Sequence, residues 1–266
     1  QRWGHDAEEV FKIKGGTVYD DLSADYDRFI NWEGRLQSEL PFIEEQLQSV
    51  NAHRVLDTAC GSGMHAIALT KKGYEVVGTD LSAAMIKKAR ANAGDAQSDA
   101  HFYVAGFGEL AQVLDVEEKG FDALLCLGSS LPHVLTPEEL IATLTDFYRC
   151  LRPGGLLLIQ NRNFDAVLAN EDRWMGPQSH RKGDREWLFL RFYDFEPCER
   201  LVFNLMILRR EGDDEWEQRV IPTRLWALRQ EKVVDALTKA SYERVTCYGN
   251  MAGDPFDATK IGRAHV

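Results

Sequence analysis

Val55-Leu56-Asp57-Thr58-Ala59-Cys60-Gly61-Ser62-Gly63 is followed, at Val76-Val77-Gly78-Thr79-Asp80, by a second apolar run that ends in a carboxylate. The first run reads as a buried strand that breaks into a glycine turn and then a helix over 64–72. Gly61 and Gly63 open backbone angles closed to other residues and let a ligand approach the main chain. The acidic end of the second run falls about 20 residues past the glycines, where such folds hold ribose hydroxyls. Together the two stretches predict a nucleoside-bearing ligand over the edge of a parallel sheet.

Outward from this core, helical and strand patterns alternate from Phe42 to Asn161, the mark of βαβ units. The first two strands fall at 54–57 and 75–79, and Ser82 caps a helix over 83–92. A short third strand follows at 101–104. The fourth, 121–127, is apolar almost throughout, as a strand covered on both faces must be. Thr136-Pro137-Glu138-Glu139 opens a helix with a cap, a first-turn proline and a reaching glutamate. Arg152-Pro153-Gly154-Gly155 turns into a fifth strand at 156–160. Beyond Asn161 the rhythm changes. Residues 185–195, 200–210 and 215–228 read as antiparallel strands, with a hairpin loop at 211–214 and Pro222 marking an edge. A helix at 231–240 and a sixth strand at 244–248 close the pattern. The expected fold class is α/β, a doubly wound, mostly parallel, Rossmann-like sheet with an antiparallel β insertion after strand five. One domain spans 1–260: N-terminal helices 15–50, core 51–162, insertion about 165–228, and helix plus strand 229–257.

The 266 residues carry a net charge of -11, which argues against nucleic acid or an anionic membrane as the main partner. No apolar run approaches the ~20 residues of a membrane helix. Cys60, Cys126, Cys150, Cys198 and Cys247 are an odd, scattered set without a C-x-x-C pair, which fits free thiols in a reducing cytoplasm. Asp20, Asp25 and Asp27 are spaced like metal ligands, but no His or Cys supports them and no metal is expected. A small-molecule substrate is the expected partner, with homo-oligomers possible.

The glycine spacing narrows the ligand. A dinucleotide turn follows G-x-G-x-x-G, and Ala66 here takes the third position. Asp57 before the turn would repel a pyrophosphate but suits a cation. S-adenosylmethionine offers a sulfonium, an ammonium and a ribose. Residues 55–63 with Asp80-Leu81-Ser82 resemble the first two motifs of class I S-adenosylmethionine-dependent methyltransferases. Cys126-Leu127-Gly128-Ser129-Ser130-Leu131-Pro132-His133 is similar to the post-fourth-strand motif of glycine N-methyltransferases. Asn161-Arg162-Asn163-Phe164-Asp165 resembles the His-Arg-Asn-Tyr-Asp of the glycine and sarcosine enzymes. Tyr19-Asp20, Asp25-Tyr26-Asp27 and Trp32 resemble the helix that covers the cofactor in small-molecule N-methyltransferases.

The resemblance implies S-adenosylmethionine as cofactor and an amine, of an amino acid or similar carboxylate-bearing molecule, as acceptor. An amino-sugar or another metabolite, methylated on nitrogen or oxygen, is the alternative. Asp80 would hold the ribose, Gly61, Gly63, Asp57 and Ala59 the methionine end, and Leu81, Met85, Gly106 and Phe107 the adenine. Leu127 would present its main chain to the ammonium. Tyr19, Tyr26 and His133 would stand at the reacting methyl, with Arg162 and Ser129 on the acceptor. Ser129 replaces an asparagine of the glycine enzymes, and Gly106-Phe107 lacks the acidic residue that often takes the adenine amino group. Plainer readings stay open: His133 as a structural hydrogen-bonder, the two tyrosines as core aromatics, Arg162 as a surface or ion-paired arginine. A non-catalytic nucleotide-binding module or a nicotinamide-dependent reductase is the rival class, but the Tyr-x-x-x-Lys pair of the common reductases is missing.

The chain end carries one more expectation. Ile261–Val266 resembles the translation of a sequencing adapter, and methyltransferases of this class finish with a seventh strand antiparallel to strand five. The sequence therefore predicts that this inner strand is missing by truncation, with ladder groups on strand five unpaired.

Overall fold

The computed structural model describes residues 18–23, 25–115, 120–260 and 262–265. Three helices lead: α1 (Val18–Leu22), α2 (Tyr26–Phe29) and α3 (Trp32–Ser49). The alternating core follows as β1 (Arg54–Thr58), α4 (Met64–Thr70), β2 (Glu75–Asp80), α5 (Ala83–Ala96), β3 (His101–Val104), α6 (Leu110–Val113), β4 (Phe121–Cys126), a 3-10 turn at Leu131–His133, α7 (Pro137–Cys150) and β5 (Leu151–Arg162). Then come α8 (Phe164–Asn170), β6 (Trp174–Lys182), β7 (Arg185–Glu196), β8 (Arg200–Glu211), β9 (Glu217–Trp226), α9 (Gln230–Lys239) and β10 (Arg263–His265).

The main sheet runs β10-β5-β4-β1-β2-β3, and β1 to β5 are mutually parallel. The apolar strands are apolar because helices cover both faces. Leu124 and Cys126 of β4 pack with Phe147 and Leu144 of α7 and Val233 and Leu237 of α9. Ala123 and Leu125 turn the other way, to Ile43 and Leu47 of α3 and Ile67 and Ile86 of α4 and α5. Helix starts follow the expected caps: Ser82 Oγ accepts from Met85 N at 3.1 Å, and Thr136 Oγ from Glu139 N at 3.2 Å.

The turn after β1 needs its glycines. Gly61 and Gly63 sit at φ 56° and 79°. A Cβ on Gly63 would lie 2.7 Å from the Phe102 ring and 2.9 Å from Ala89, and one on Gly61 would meet the Tyr26 ring at 3.2 Å.

The insertion is a four-stranded antiparallel sheet in the order β6-β7-β8-β9. The first of these strands has no sequence signature, because Gly176-Pro177 interrupts any alternation. It forms at an edge, where a register shift between Met175 and Gln178 absorbs the proline. Pro222 lies on β9, the opposite edge. The inner face of this sheet packs Trp187, Phe189, Leu205, Ile207 and Ile221 against Leu22, Tyr19, Tyr26 and Phe29 of the cover helices. Further along, Tyr193, Leu201 and Leu225 pack on Phe164 and Val167 of α8.

Two expectations for the chain end are corrected. Residues 244–248 form no strand; Tyr248 makes one bridge, to Pro255, and its ring packs on Phe42 at 5.1 Å. A strand needs a ladder, and this segment makes none: the main sheet ends at β10 with no described strand beyond it. The edge of β5 is not bare: Arg263, Ala264 and His265 pair antiparallel with Arg162, Asn161 and Gln160. Exposed backbone groups accept any extended segment, whatever its side chains.

Candidate active site

The carboxyl ends of β1, β2 and β4, the cover helices and β9 enclose a cavity of about 320 Å³. Its wall includes Tyr19, Tyr26, Asp57, Ala59, Gly61, Asp80, Leu81, Gly106, Phe107, Leu127 and His133, all expected from the sequence. Four expected residues stand off the wall. Met85 is fully buried in the core behind it, and Gly63 acts as the left-handed cap of α4. Ser129 and Arg162 lie to one side, joined to each other, with Arg162 N donating to Ser129 Oγ at 2.8 Å. No acidic residue lies at Gly106 or Phe107, but Glu109 Oε1 accepts from Gly106 N at 2.7 Å.

Two carboxylates share the wall. Asp80 is held by two amides, Gly61 N on Oδ2 and Ser82 N on Oδ1, each at 2.9 Å. Burial raises its pKa and those amides pull it back. Asp57 is 2% exposed, and its Oδ2 finds no hydrogen-bond partner. Burial pushes its pKa up to about 7, against the nearby Arg35 guanidinium.

Arg35 belongs to a buried polar cluster beneath the cavity. Its Nε donates to Glu39 at 3.0 and 3.1 Å, its Nη2 to Gln160 Oε1 at 3.3 Å, and it lies over the Trp32 ring. Glu39 also meets His65 Nε2 at 2.8 Å and accepts from Gln160 Nε2 at 2.9 Å. Gln160 Oε1 in turn accepts from Gly128 N at 2.9 Å, which fixes the loop after β4. Nothing in the sequence marks Arg35, Glu39, His65 or Thr223, all but Glu39 of which line the cavity. Arg35 and Glu39 at i,i+4 look like an ordinary helix-surface pair; only their distant partners make them a site.

Tyr19 and His133, 114 residues apart, are hydrogen-bonded at 2.7 Å through the phenol and Nε2. His133 Nδ1 lies 2.8 Å from the Ser130 carbonyl, which can only accept. Nδ1 is therefore the protonated nitrogen, and Nε2 accepts from the Tyr19 hydroxyl. Burial lowers the imidazole pKa, raises that of Tyr19 and takes that of Tyr26 to about 12, so all three are neutral at pH 7.

The three N-terminal aspartates are accounted for. Asp20 Oδ1 accepts from Ser82 Oγ at 2.5 Å; Asp27 accepts from Ser62 Oγ at 2.5 Å and Trp32 Nε1 at 2.9 Å and pairs with Lys88 at 3.1 Å; Asp25 pairs with Arg28. Asp20 and Asp27 latch the cover helices over the cavity, while the Asp25 pair is local to α2. Among the described residues no cluster of His, Cys, Asp and Glu is placed to hold a metal, and no helix is long and apolar enough to cross a membrane.

Comparison with known proteins agrees with this geometry. The methyltransferase-domain family profile matches residues 55–155. A glycine/sarcosine N-methyltransferase of Aphanothece halophytica is 32% identical over 225 residues, 85% of this chain and 79% of that protein. A solved S-adenosylmethionine-dependent methyltransferase of Clostridium acetobutylicum superposes with a TM-score of 0.74 at 15% identity, over 94% of this chain and 97% of that one. An amino pentose methyltransferase of Micromonospora echinaspora, solved with S-adenosylmethionine bound, gives 0.62 at 17%, over 100% of this chain and 97% of that one. The doubly wound sheet with an acidic end to β2 and a glycine turn after β1 defines a nucleoside-binding fold, and the family match makes it that of a methyl-transfer enzyme. The chain belongs to the class I S-adenosylmethionine-dependent methyltransferases.

Proposed function

We propose that the enzyme methylates the amine of a small acceptor carrying a carboxylate, an amino acid or close analogue. Arg162 carries this reading. Its guanidinium lies against Tyr193 at 5.9 Å, its Nε is buried without a partner, and no ion pair engages it among the described residues. A planar guanidinium suits bidentate capture of a carboxylate. The similarity to a glycine/sarcosine N-methyltransferase points the same way.

The residues on the wall fit the cofactor. Asp80 has lone pairs left for two ribose hydroxyls, and Leu81, Gly106 and Phe107 would flank the adenine. The unpartnered Asp57 oxygen suits the ammonium, with the Leu127 main chain beside it, and Arg35 suits the methionine carboxylate. This matches an orphan anion and a buried cation to a zwitterion. When bound, S-adenosylmethionine supplies a methyl group already activated by a sulfonium.

The protein's own task is alignment and exclusion of water. Tyr26 and Tyr19 close the cavity from above. The Tyr19 hydroxyl donates to His133, so its oxygen is free to accept a proton from the acceptor's ammonium while its own proton passes to Nε2. Neutral His133 can take that proton, and the Ser130 carbonyl holds the ring in the tautomer that allows it.

Replacing Arg162 by Lys keeps the charge and loses the fork. We expect kcat/KM for amino-acid acceptors to fall while affinity for S-adenosylhomocysteine stays nearly intact. Full-rate methylation of an uncharged amino-sugar by that variant would overturn the carboxylate reading.

A further inference from the structure

Arg162 has a neighbour of its own sign. Arg191 sits on β7, on the face that also carries Trp187, Phe189 and Tyr193, all buried. A charge on a buried aromatic face requires partners. Arg191 has little: Nη2 reaches the Gly176 carbonyl at 3.4 Å, and Nε is buried and unpartnered, like that of Arg162. Burial and then the Arg162 charge lower its pKa, with only the Tyr193 phenol acting the other way. The two guanidiniums are thus electrostatic neighbours around one tyrosine, and no ion pair engages either among the described residues.

Four other arginines of the insertion have carboxylate partners, and Arg200 lies over the Trp226 ring at 4.8 Å. Arg173 meets Asp194, Arg185 meets Glu211, Arg209 meets Glu217 and Arg210 meets Glu186. Carboxylates are in surplus in a chain of net charge -11, so a pair of cations left without one is informative. Its place in the fold is equally so. Tyr193 lies opposite Phe203, Phe203 lies opposite Thr223, and Thr223 lines the cavity. Arg191 is in the next row of the same face, opposite Leu205 and Ile221. On the other side, Arg162 shares its face of β5 with Gln160, which reaches Arg35 under the cavity.

One carboxylate satisfies one fork; two forks held together repel until two negative charges lie between them. We infer that Arg162 and Arg191 form a two-cation site on the acceptor side, and that the acceptor is an amine bearing two negative charges, as two carboxylates or as a phosphoryl group. The inference rests on the reading that the acceptor's anion meets Arg162. Arg191 would then set specificity between singly and doubly charged amines.

Calorimetry on the full chain loaded with S-adenosylhomocysteine tests this without turnover, using acetate, succinate and inorganic phosphate as probes. Succinate or phosphate should bind roughly 10- to 150-fold more tightly than acetate, the worth of one more charge-assisted contact. Which of the two does so identifies the second group. Arg191→Gln should erase that advantage and Arg191→Lys should keep part of it, while Arg162→Lys should weaken all three. Equal affinity for acetate and both dianions in the unaltered protein overturns the proposal, as does an advantage that survives in a folded Arg191→Gln variant. If instead acetate binding is indifferent to Arg162→Lys, the carboxylate reading itself fails.

Discussion

The two sides of the cavity are built by different means. The sheet edge that carries Asp57, Gly61 and Asp80 is made of contiguous segments: a strand, a short glycine turn, a helix and the next strand. Its polar groups are fixed by backbone amides a few residues away or directly across a β1–β2 ladder. The opposite side, where we place the acceptor, draws on α1, the loop after β4 and Thr223 of β9, with the Arg35–Glu39–Gln160 cluster beneath the cavity. There the fixing contacts join side chains more than a hundred residues apart. Amide-held geometry tolerates sequence change as long as the turn survives; side-chain-held geometry changes with any one partner. The first side is therefore expected to carry what the family shares, and the second to carry specificity.

Three measurements would break or sharpen that contrast. The largest effect is expected at Asp80. Asp80→Ala should weaken S-adenosylhomocysteine binding roughly 10- to 150-fold, the loss of about 1.5–3 kcal/mol of charge-assisted hydrogen bonding, in a chain that still folds. Unchanged affinity by calorimetry would remove Asp80 from the cofactor site.

Asp57 should show itself through pH. Its pKa is raised from 3.8 to about 7 by burial, so the apo protein holds a proton there that the unfolded chain has lost. Stability from this group is full below pH 4 and is lost as pH rises toward 7. Cofactor affinity should run the opposite way, because an ammonium needs the ionised carboxylate: below pH 7 it should fall about tenfold per pH unit. Asp57→Asn should flatten both profiles, raising the apo melting temperature above pH 7 while lowering affinity there. A cofactor affinity independent of pH between 5.5 and 7.5 in the unaltered protein would rule out this role.

The smallest effect belongs to the inserted sheet. Cys198 and Glu199 turn the β7–β8 hairpin with φ 59° and 58°, a left-handed pair that favours glycine or asparagine. Cys198→Gly should relieve strain worth about 0.5–1 kcal/mol and raise the melting temperature by about 1–3 °C. Cofactor affinity should not move. A change in affinity would show that the two sides are coupled through the insertion.

Legibility follows the same division. The five parallel strands, the caps at Ser82 and Thr136 and eleven residues of the cavity wall can be read from short windows, because each depends on periodicity or on a turn of fixed length. The strand β6 and the helix α8 cannot. Strand β6 lacks alternation and exists only because β7 offers it a ladder; α8 is only seven residues, capped at its start by Asn163 and packed under the insertion. The segment 244–248 fails for the converse reason, since its apolar alternation finds no neighbouring strand.

The sequence by itself determined a nucleoside site at the ends of β1 and β2, because backbone angles, a glycine turn and a carboxylate about 20 residues on are local requirements. Only the tertiary structure decided that Arg35, Glu39, His65 and Gln160 form one buried cluster, that Tyr19 finds His133, and that Arg162 and Arg191 come together with no ion pair to either among the described residues. Those pairings join residues whose separation in the chain carries no periodic signal. They come into being only when burial removes water and each polar group must find whatever partner the packing supplies.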